Sequence, residues 1–369
     1  MTELKKLAYM SDYYGSDPTL VLAGGGNTSY KTEDVLYVKA SGFPLSGIRE
    51  NGFASLDRHG LQDLLLRGYP EDVENIDTQF IEDVMATRLP GEEKRPSVEA
   101  LLHHGFDFPY VLHLHPTVVN SLTSAVNGKE EAIRLFGEDV VVWVKLVHPG
   151  YGLARYCWDL QQEHKAKYGK YPRFLLLQNH GIFIPGNSPE EIGVTLDEVI
   201  SKIKSCYRKE WNADLAPIDT DAIGAVREKL EKVYGAVLYC GEKSMVDICQ
   251  SREAADGVLR PYNPDQITYC RSWPLFCESV DTMEADLAAY DEKIGGQPKV
   301  IIVRGIGLFT AGKDAGEADR AMQLFLDAGK ISFYAENFGG YHQLDDDFID
   351  FIDNWEVENY RRGVANKNL

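Results

Sequence analysis

Short apolar segments typical of β-strands alternate with longer amphipathic segments typical of α-helices along the first 211 residues of the chain. Strand patterns lie at residues 34–42, 110–115, 139–147 and 173–184, and helix patterns lie at residues 96–105, 116–126 and 188–211. Two of the helix patterns begin with a proline, which the first turn of a helix tolerates because its N–H is not needed there. Strands that alternate with helices form a sheet covered by helices, so this region predicts an α/β domain over residues 1–214.

The second predicted domain, residues 215–369, contains a partial copy of the first. When Gly181 is aligned with Gly307, the segments "LLLQNHGIFIPGNSPEE" and "IIVRGIGLFTAGKDAGE" share an apolar strand, a turn and the start of a helix. We interpret this likeness as a duplicated unit, although unrelated strand–turn–helix units can also look alike. His180 of the first copy corresponds to Ile306, so the second domain is predicted to contain no comparable metal site.

The charge balance disfavours nucleic acids and membranes as partners. The chain has 38 Lys and Arg against 57 Asp and Glu, a net charge of −19, and such a chain repels phosphate polyanions and anionic lipids. It has no apolar run of about eighteen residues and no apolar block of a signal peptide at its start, so we expect no membrane span and a cytoplasmic location. The six cysteines form no C-x-x-C pair, which indicates reduced thiols rather than a cysteine-based zinc site.

The motif that most directly predicts chemistry is a pair of histidines at the end of a strand pattern. Because successive strand residues point to opposite faces, His113 and His115 present two imidazoles on one face. This spacing suits two ligands on one cation, but two hydrogen-bonded histidines would explain an isolated pair equally well. His180 follows another apolar strand pattern and precedes Gly181. Three neutral imidazoles with an open fourth position are typical of a catalytic zinc site.

Five motifs in a fixed order resemble the class II aldolase/adducin family. They are "GGGNTSYK", "KASG", "RPSVE", "HLHP" and "NHGIFIPG". The resemblance covers residues 1–211 and is strongest to the aldolase half of bifunctional aldolase/short-chain dehydrogenase proteins, whose extended aldolase part also resembles residues 212–369. It implies an α/β fold with a three-layer αβα domain, followed by a second, related α/β unit that lacks the metal ligands. The glycine-rich segment has no G-x-G-x-x-G and precedes a strand, so no dehydrogenase activity is expected.

The resemblance implies a metal centre and a reaction. It assigns Zn²⁺, or another divalent metal, to His113, His115 and His180, and it assigns the catalytic carboxylate to Glu99. Glu99 lies early in a helix pattern just before the histidine strand, so the two can converge, although helix dipoles also favour a first-turn glutamate. The implied reaction cleaves a ketose 1-phosphate of the rhamnulose or fuculose type to dihydroxyacetone phosphate and an aldehyde through a metal-stabilised enediolate.

Phosphate recognition is implied at turns that offer hydroxyl, amide and backbone N–H donors. The implied residues are Asn27, Thr28, Ser41, Gly42 and Ser97. A concave row of such donors holds an anion without net positive charge, and Lys39 and Arg95 are nearby candidates for added charge. Val98 stands where many family aldolases have a second serine. The tyrosine that fuculose-phosphate enzymes use as a proton donor has no counterpart at the matching distance, and Tyr151 is the candidate substitute.

Other members of the family offer alternative functions. Sugar-phosphate 4-epimerases and a dehydratase share the three histidines, and a non-catalytic adducin-like interaction module keeps the fold without the ligands. Family aldolases are usually cyclic homotetramers, so a homo-oligomer that binds a small sugar phosphate is expected.

Overall fold

The computed structural model describes residues 1–69, 76–217 and 219–355. The chain forms two compact units, one of residues 1–123 and 127–206 and the other of residues 124–126 and 207 onward. The border predicted between residues 214 and 215 falls within the second unit. No helix in the described part of the chain combines the length and the apolar character needed to cross a bilayer.

The first unit contains a seven-stranded sheet and, among its described residues, eight α-helices. The strands are β1 (Asn27–Lys31), β2 (Val35–Lys39), β3 (Phe53–Asp57), β4 (Tyr110–Leu114), β5 (Val141–Val144), β6 (Phe174–Leu177) and β7 (Gly181–Gly186). The helices are α1 (Glu3–Gly15), α2 (Arg58–Arg67), α3 (Ile76–Ala86), α4 (Ala100–His104), α5 (Thr117–Thr123), α6 (Gly128–Phe136), α7 (Tyr151–Tyr168) and α8 (Pro189–Lys204).

Helices cover both faces of this sheet, whose strand order is β3-β2-β1-β4-β7-β6-β5. Helices α2, α3, α4 and α7 share one apolar core with the face that bears Val111 and Phe183. Residues on the opposite face of the sheet, such as Leu112 and Ile182, are also fully buried. Helices α1, α5, α6 and α8 contact strands β1, β7 and β5. The unit is therefore a three-layer αβα domain, as the sequence predicts.

Two predicted elements differ from the structure in ways that matter for the site. The single strand predicted at residues 173–184 is wrong, because β6 and β7 form an antiparallel hairpin. Asn179 turns the chain with a φ of +55°, a region that asparagine tolerates better than most residues, and His180 follows it in the turn. The helix predicted from residue 96 begins only at Ala100, because Pro96 instead pairs with Ala40 in an isolated β-bridge.

The second unit has a four-stranded sheet of order β8-β11-β10-β9. Its strands are β8 (Ala236–Cys240), β9 (Leu275–Cys277), β10 (Val300–Val303) and β11 (Gly307–Gly312). Its described helices are α9 (Thr220–Leu230), α10 (Lys243–Ile248), α11 (Arg252–Ala255), α12 (Pro264–Cys270), α13 (Met283–Ile294), α14 (Ala315–Ala335) and α15 (Asp346–Asn354).

This second sheet repeats the β4-β7-β6-β5 half of the first in order and in strand direction. The hairpin registers coincide, since Leu177 faces Gly181 in one sheet and Val303 faces Gly307 in the other. The turns also coincide, because Gly305 has a positive φ at the position of Asn179. The second unit is therefore a related α/β unit.

The same register places other residues at the positions of the three histidines. Tyr239, Gly241 and Ile306 stand where the first unit has His113, His115 and His180. The hydroxyl of Tyr239 donates to the carbonyl oxygen of Ile306 at 3.1 Å. These positions of the second unit therefore lack imidazole ligands.

Candidate metal centre

His113 lies in the middle of the sheet with one strand on each side. Asn27 on β1 and Phe183 on β7 are its cross-strand neighbours. The ring of Phe183 stacks on the imidazole, with centroids 3.9 Å apart and planes 10° apart. The Nδ1–H of His113 donates to the carbonyl oxygen of Ile182 at 3.0 Å, which leaves the lone pair on Nε2. Burial lowers the pKa of His113 well below its ordinary value.

The three predicted histidines come together around one point. His115 directly follows β4, and His180 lies in the turn before β7. Their candidate ligand atoms and that of His113 all lie within 4.8 Å of one another. The Nε2 atoms of His113 and His115 are 2.9 Å apart, and the ring centroids of His113 and His180 are 4.9 Å apart.

Glu99 faces this cluster from the N-terminal end of α4. Its Oε2 lies 3.5 Å from Nε2 of His113, and its Oε1 lies 3.6 Å from Nε2 of His180. Burial alone would raise the pKa of Glu99, but His113, His180 and a hydrogen bond from Asn27 outweigh it, so the pKa is lowered and the group rests ionised. Its Oε1 is buried and accepts no hydrogen bond from any residue that the structure describes.

Asn27 connects the carboxylate of Glu99 to three further polar side chains. Its Nδ2 donates to Oε2 of Glu99 at 2.6 Å and to Oγ of Ser97 at 3.1 Å. Its Oδ1 accepts a hydrogen bond from the imidazole of His103, whose Nδ1 lies 2.7 Å from Oγ of Ser29. Neither His103 nor Ser29 was predicted from the sequence. The spacing Glu-x-x-x-His on one helix face was the signal that could have indicated His103.

The phosphate-binding candidates are only partly brought together. Ser41 and Ser97 lie on paired segments, because the N–H of Ser41 donates to the carbonyl oxygen of Arg95 and that of Ser97 to the carbonyl oxygen of Lys39. Gly42 adopts a φ of +90° beside Ser41, where glycine is favoured.

Two further candidates, Thr28 and Tyr151, and Val98, which replaces the second serine of the family motif, make other contacts. Thr28 points to the opposite face of β1 from Asn27, and its hydroxyl lies 2.6 Å from that of Ser11. Val98 packs against the apolar core. Tyr151 packs edge-on against Tyr69, with ring centroids 4.7 Å apart. The phosphate-binding roles stay predictions.

The donor set fits a divalent transition metal. Three imidazoles converge, and Nε2 of His113 is held as an acceptor by a hydrogen bond on the other ring nitrogen, the arrangement that metal-binding histidines use. The Oε1 of Glu99, which accepts no hydrogen bond from the described residues, faces the same point. The fold and this cluster define an α/β protein with a three-histidine candidate metal centre.

The sequence of residues 5–200, more than half of the chain, matches the protein-family model of the class II aldolase and adducin N-terminal domain. The chain therefore belongs to the class II aldolase and adducin family. YuxG of Bacillus subtilis (strain 168), described as an uncharacterized oxidoreductase, is 24% identical over an alignment of 419 positions that covers 98% of this chain. The chain spans 58% of the length of this curated relative.

Solved structures show similar, partial matches. The N-terminal class II aldolase domain of a conserved protein from Thermoplasma acidophilum is 26% identical, with a TM-score of 0.47 over 55% of this chain and 93% of that chain. The l-fuculose-1-phosphate aldolase from Thermus thermophilus is 16% identical, with a TM-score of 0.35 over 54% of this chain and 90% of that one.

Proposed function

We propose that this chain is a zinc-dependent aldolase that cleaves a ketose 1-phosphate of the rhamnulose or fuculose type to dihydroxyacetone phosphate and an aldehyde. The observation that supports it most is the buried carboxylate of Glu99, which faces two of the three imidazoles and keeps one oxygen without a hydrogen bond from the described residues. An unpartnered buried oxygen is destabilising, so its retention indicates a role in the reaction.

His113, His115 and His180 would hold the metal. When bound, a divalent zinc ion supplies a Lewis acid that polarises the ketose carbonyl and stabilises the negative charge that develops there. Contacts within the protein would orient the His113 ligand before the metal binds. The carbonyl oxygen of Ile182 fixes the tautomer of His113, and the stacked ring of Phe183 fixes its plane and excludes water from that side.

Glu99 would move the proton. Cleavage breaks the C3–C4 bond of the ketose, leaves its electron pair on the dihydroxyacetone phosphate fragment and releases the C4 hydroxyl proton as the aldehyde forms. The C3 carbon must then gain a proton. Because Glu99 rests ionised, it can take up a proton and deliver it at C3, and in the synthetic direction it removes that proton. Such a group contributes about 10²–10⁴-fold to the rate.

The test is a substrate screen with the parent and Glu99→Gln. We expect the parent to bind zinc and to release dihydroxyacetone phosphate from rhamnulose or fuculose 1-phosphate, measured by a coupled reductase assay. Glu99→Gln should keep zinc and lose at least about 10²-fold in kcat. Glu93→Gln, an exposed neighbour in the same loop, is the matched control and should match the parent.

Three outcomes would contradict the proposal. An isomerised pentulose phosphate without released aldehyde would indicate an epimerase, and loss of water from the sugar phosphate would indicate a dehydratase. A parent chain that binds no divalent metal would indicate an interaction module.

A further inference from the structure

We propose that His103 is a positioning residue that sets the orientation of the Asn27 amide and, through it, the carboxylate of Glu99. The kinetic part of this inference rests on the proposed function, whereas the structural part does not. His103 is fully buried. Its ring forms hydrogen bonds with Ser29 and with Asn27, and of these two residues only Asn27 is among the predicted phosphate-binding residues.

Two regular elements place the four side chains in one chain of hydrogen bonds. Asn27 and Ser29 alternate on β1 and so share a face. Glu99 and His103 are four residues apart at α4 and so share a side of that helix. The resulting order is Ser29, His103, Asn27, Glu99, with Oγ–Nδ1 at 2.7 Å, a hydrogen bond between Nε2 and Oδ1, and Nδ2–Oε2 at 2.6 Å.

The chemistry of the groups determines the direction of every bond. An ionised carboxylate can only accept, so the Asn27 atom that faces Glu99 must be the NH₂ group. The Oδ1 of Asn27 therefore faces His103, whose Nε2 must carry a hydrogen. The neutral ring then has its lone pair on Nδ1, which accepts from the hydroxyl of Ser29.

His103 is needed because the two ends of an amide have nearly the same shape. Only the hydrogen-bond partners decide which end of Asn27 faces Glu99. The hydroxyl of Ser97 can donate or accept, so it does not decide. Glu99 accepts at the NH₂ end of the amide, and the Nε2–H of His103 donates at its oxygen end, so these two partners together fix the orientation. Loss of the Nε2–H of His103 therefore removes one of the two partners that orient Asn27 toward Glu99.

The backbone of α4 is held independently of this imidazole. Lys31, itself buried, donates from Nζ to the carbonyl oxygens of His103 and Phe106, both at 2.6 Å. These bonds give partners to carbonyl oxygens at the C-terminal end of the helix, and the imidazole of His103 takes no part in them. Substitution of the His103 side chain therefore leaves the main support of α4 in place.

The first experiment measures the tautomer and needs no turnover. The full chain is labelled with ¹⁵N-histidine, and the His103 signals are assigned as those that vanish in His103→Leu. We expect a neutral ring with hydrogen on Nε2. A ring with hydrogen on Nδ1 would overturn the proposal, because it could not donate to Oδ1 of Asn27.

The second experiment separates positioning from a structural role. We expect His103→Leu to lower kcat by up to about tenfold, the scale of a lost hydrogen bond to a neutral group, with KM and zinc content unchanged. His103→Gln, which keeps an N–H donor, should recover most of kcat. His104→Leu is the matched control, since His104 is the adjacent buried histidine and bonds instead to Gln62. It should stay within about twofold of the parent.

A double-mutant cycle then asks whether His103 acts through Asn27. We expect Asn27→Leu and Asn27→Leu/His103→Leu to have the same kcat, because the second substitution removes a partner that has nothing left to orient. Additive losses, or equal losses in the His104→Leu control, would overturn the proposal. If the parent cleaves no ketose phosphate, the proposed function fails, and the tautomer alone decides this inference.

Discussion

Gly181 lies so close to His115 that a Cβ atom at residue 181 would stand 3.0 Å from Cδ2 of the imidazole. The same Cβ would stand 2.3 Å from the carbonyl oxygen of Leu114, at the end of β4. The glycine is therefore required by the close approach of β4 and β7 beside the candidate metal ligands. The hairpin can bring His180 to His113 and His115 only because this position lacks a side chain.

Gly181→Ala should weaken metal binding while leaving the three histidines in the sequence. We expect an affinity loss of at least about tenfold, because moving one ligand by a few tenths of an ångström spoils the coordination geometry. Zinc titration with a competing chelator measures it. Gly152→Ala is the matched control, since a Cβ at that position of α7 meets nothing within 4 Å. An unchanged affinity in Gly181→Ala would contradict the close-approach argument.

The residues of the candidate metal centre could be named from the sequence because motifs specify them. His113 and His115 follow from strand alternation, and the resemblance located His180 and Glu99. The turn at Asn179 was missed because residues 173–184 are apolar on both sides of it, and a fully buried hairpin lacks the polar alternation that separates strands.

The hydrogen bonds that connect His103 through Asn27 to the carboxylate of Glu99 were not predictable in the same way. His103 lies four residues after Glu99 in a helix, where a buried histidine has many ordinary explanations. Its role depends on β1 lying beside α4, which is a tertiary relationship that local patterns do not contain.

The second unit should bind no metal, so the full chain should contain one zinc ion. Within the described residues, the only group of histidines, cysteines and carboxylates placed to hold a metal is the first unit's three-histidine cluster. Elemental analysis should give about one zinc per chain for the parent and less than one for His180→Ala. His59→Ala removes an exposed histidine on α2 and should change nothing. Two zinc ions per parent chain would contradict the prediction.

Glu92 should make the stability of the chain depend on pH. Burial would raise its pKa, but the backbone N–H and ammonium of Lys94 and the backbone N–H and hydroxyl of Ser55 outweigh it and lower the pKa to about 2. Because the folded pKa lies below the ordinary value of 4.5, the stabilisation is fully present above that value and is lost as the pH falls toward 2.

Glu92→Gln should therefore destabilise the chain at pH 7 by about 1.5–3 kcal/mol, the scale of hydrogen bonds to a charged group. The difference in Tm between variant and parent should shrink as the pH is lowered from 5 to 3, measured by thermal unfolding in steps of pH. Glu93→Gln, the exposed neighbour, should show no such difference at any pH. A difference for Glu92→Gln that stays constant with pH would show that the carboxylate charge is not its source.

Ser41 should contribute to phosphate binding and not to the proton transfer. Its segment pairs with the one that precedes Ser97, whereas the hydroxyl of Ser97 is already engaged with Asn27. Ser41→Ala should raise KM for the ketose 1-phosphate by about tenfold to a hundredfold, because a hydrogen bond to a charged group is worth about 1.5–3 kcal/mol, and should leave kcat nearly unchanged. The same ketose without its phosphate should be cleaved equally by variant and parent. An equal loss of activity with both substrates would show that Ser41 contacts the carbon chain of the sugar or stabilises the fold, and does not bind the phosphate.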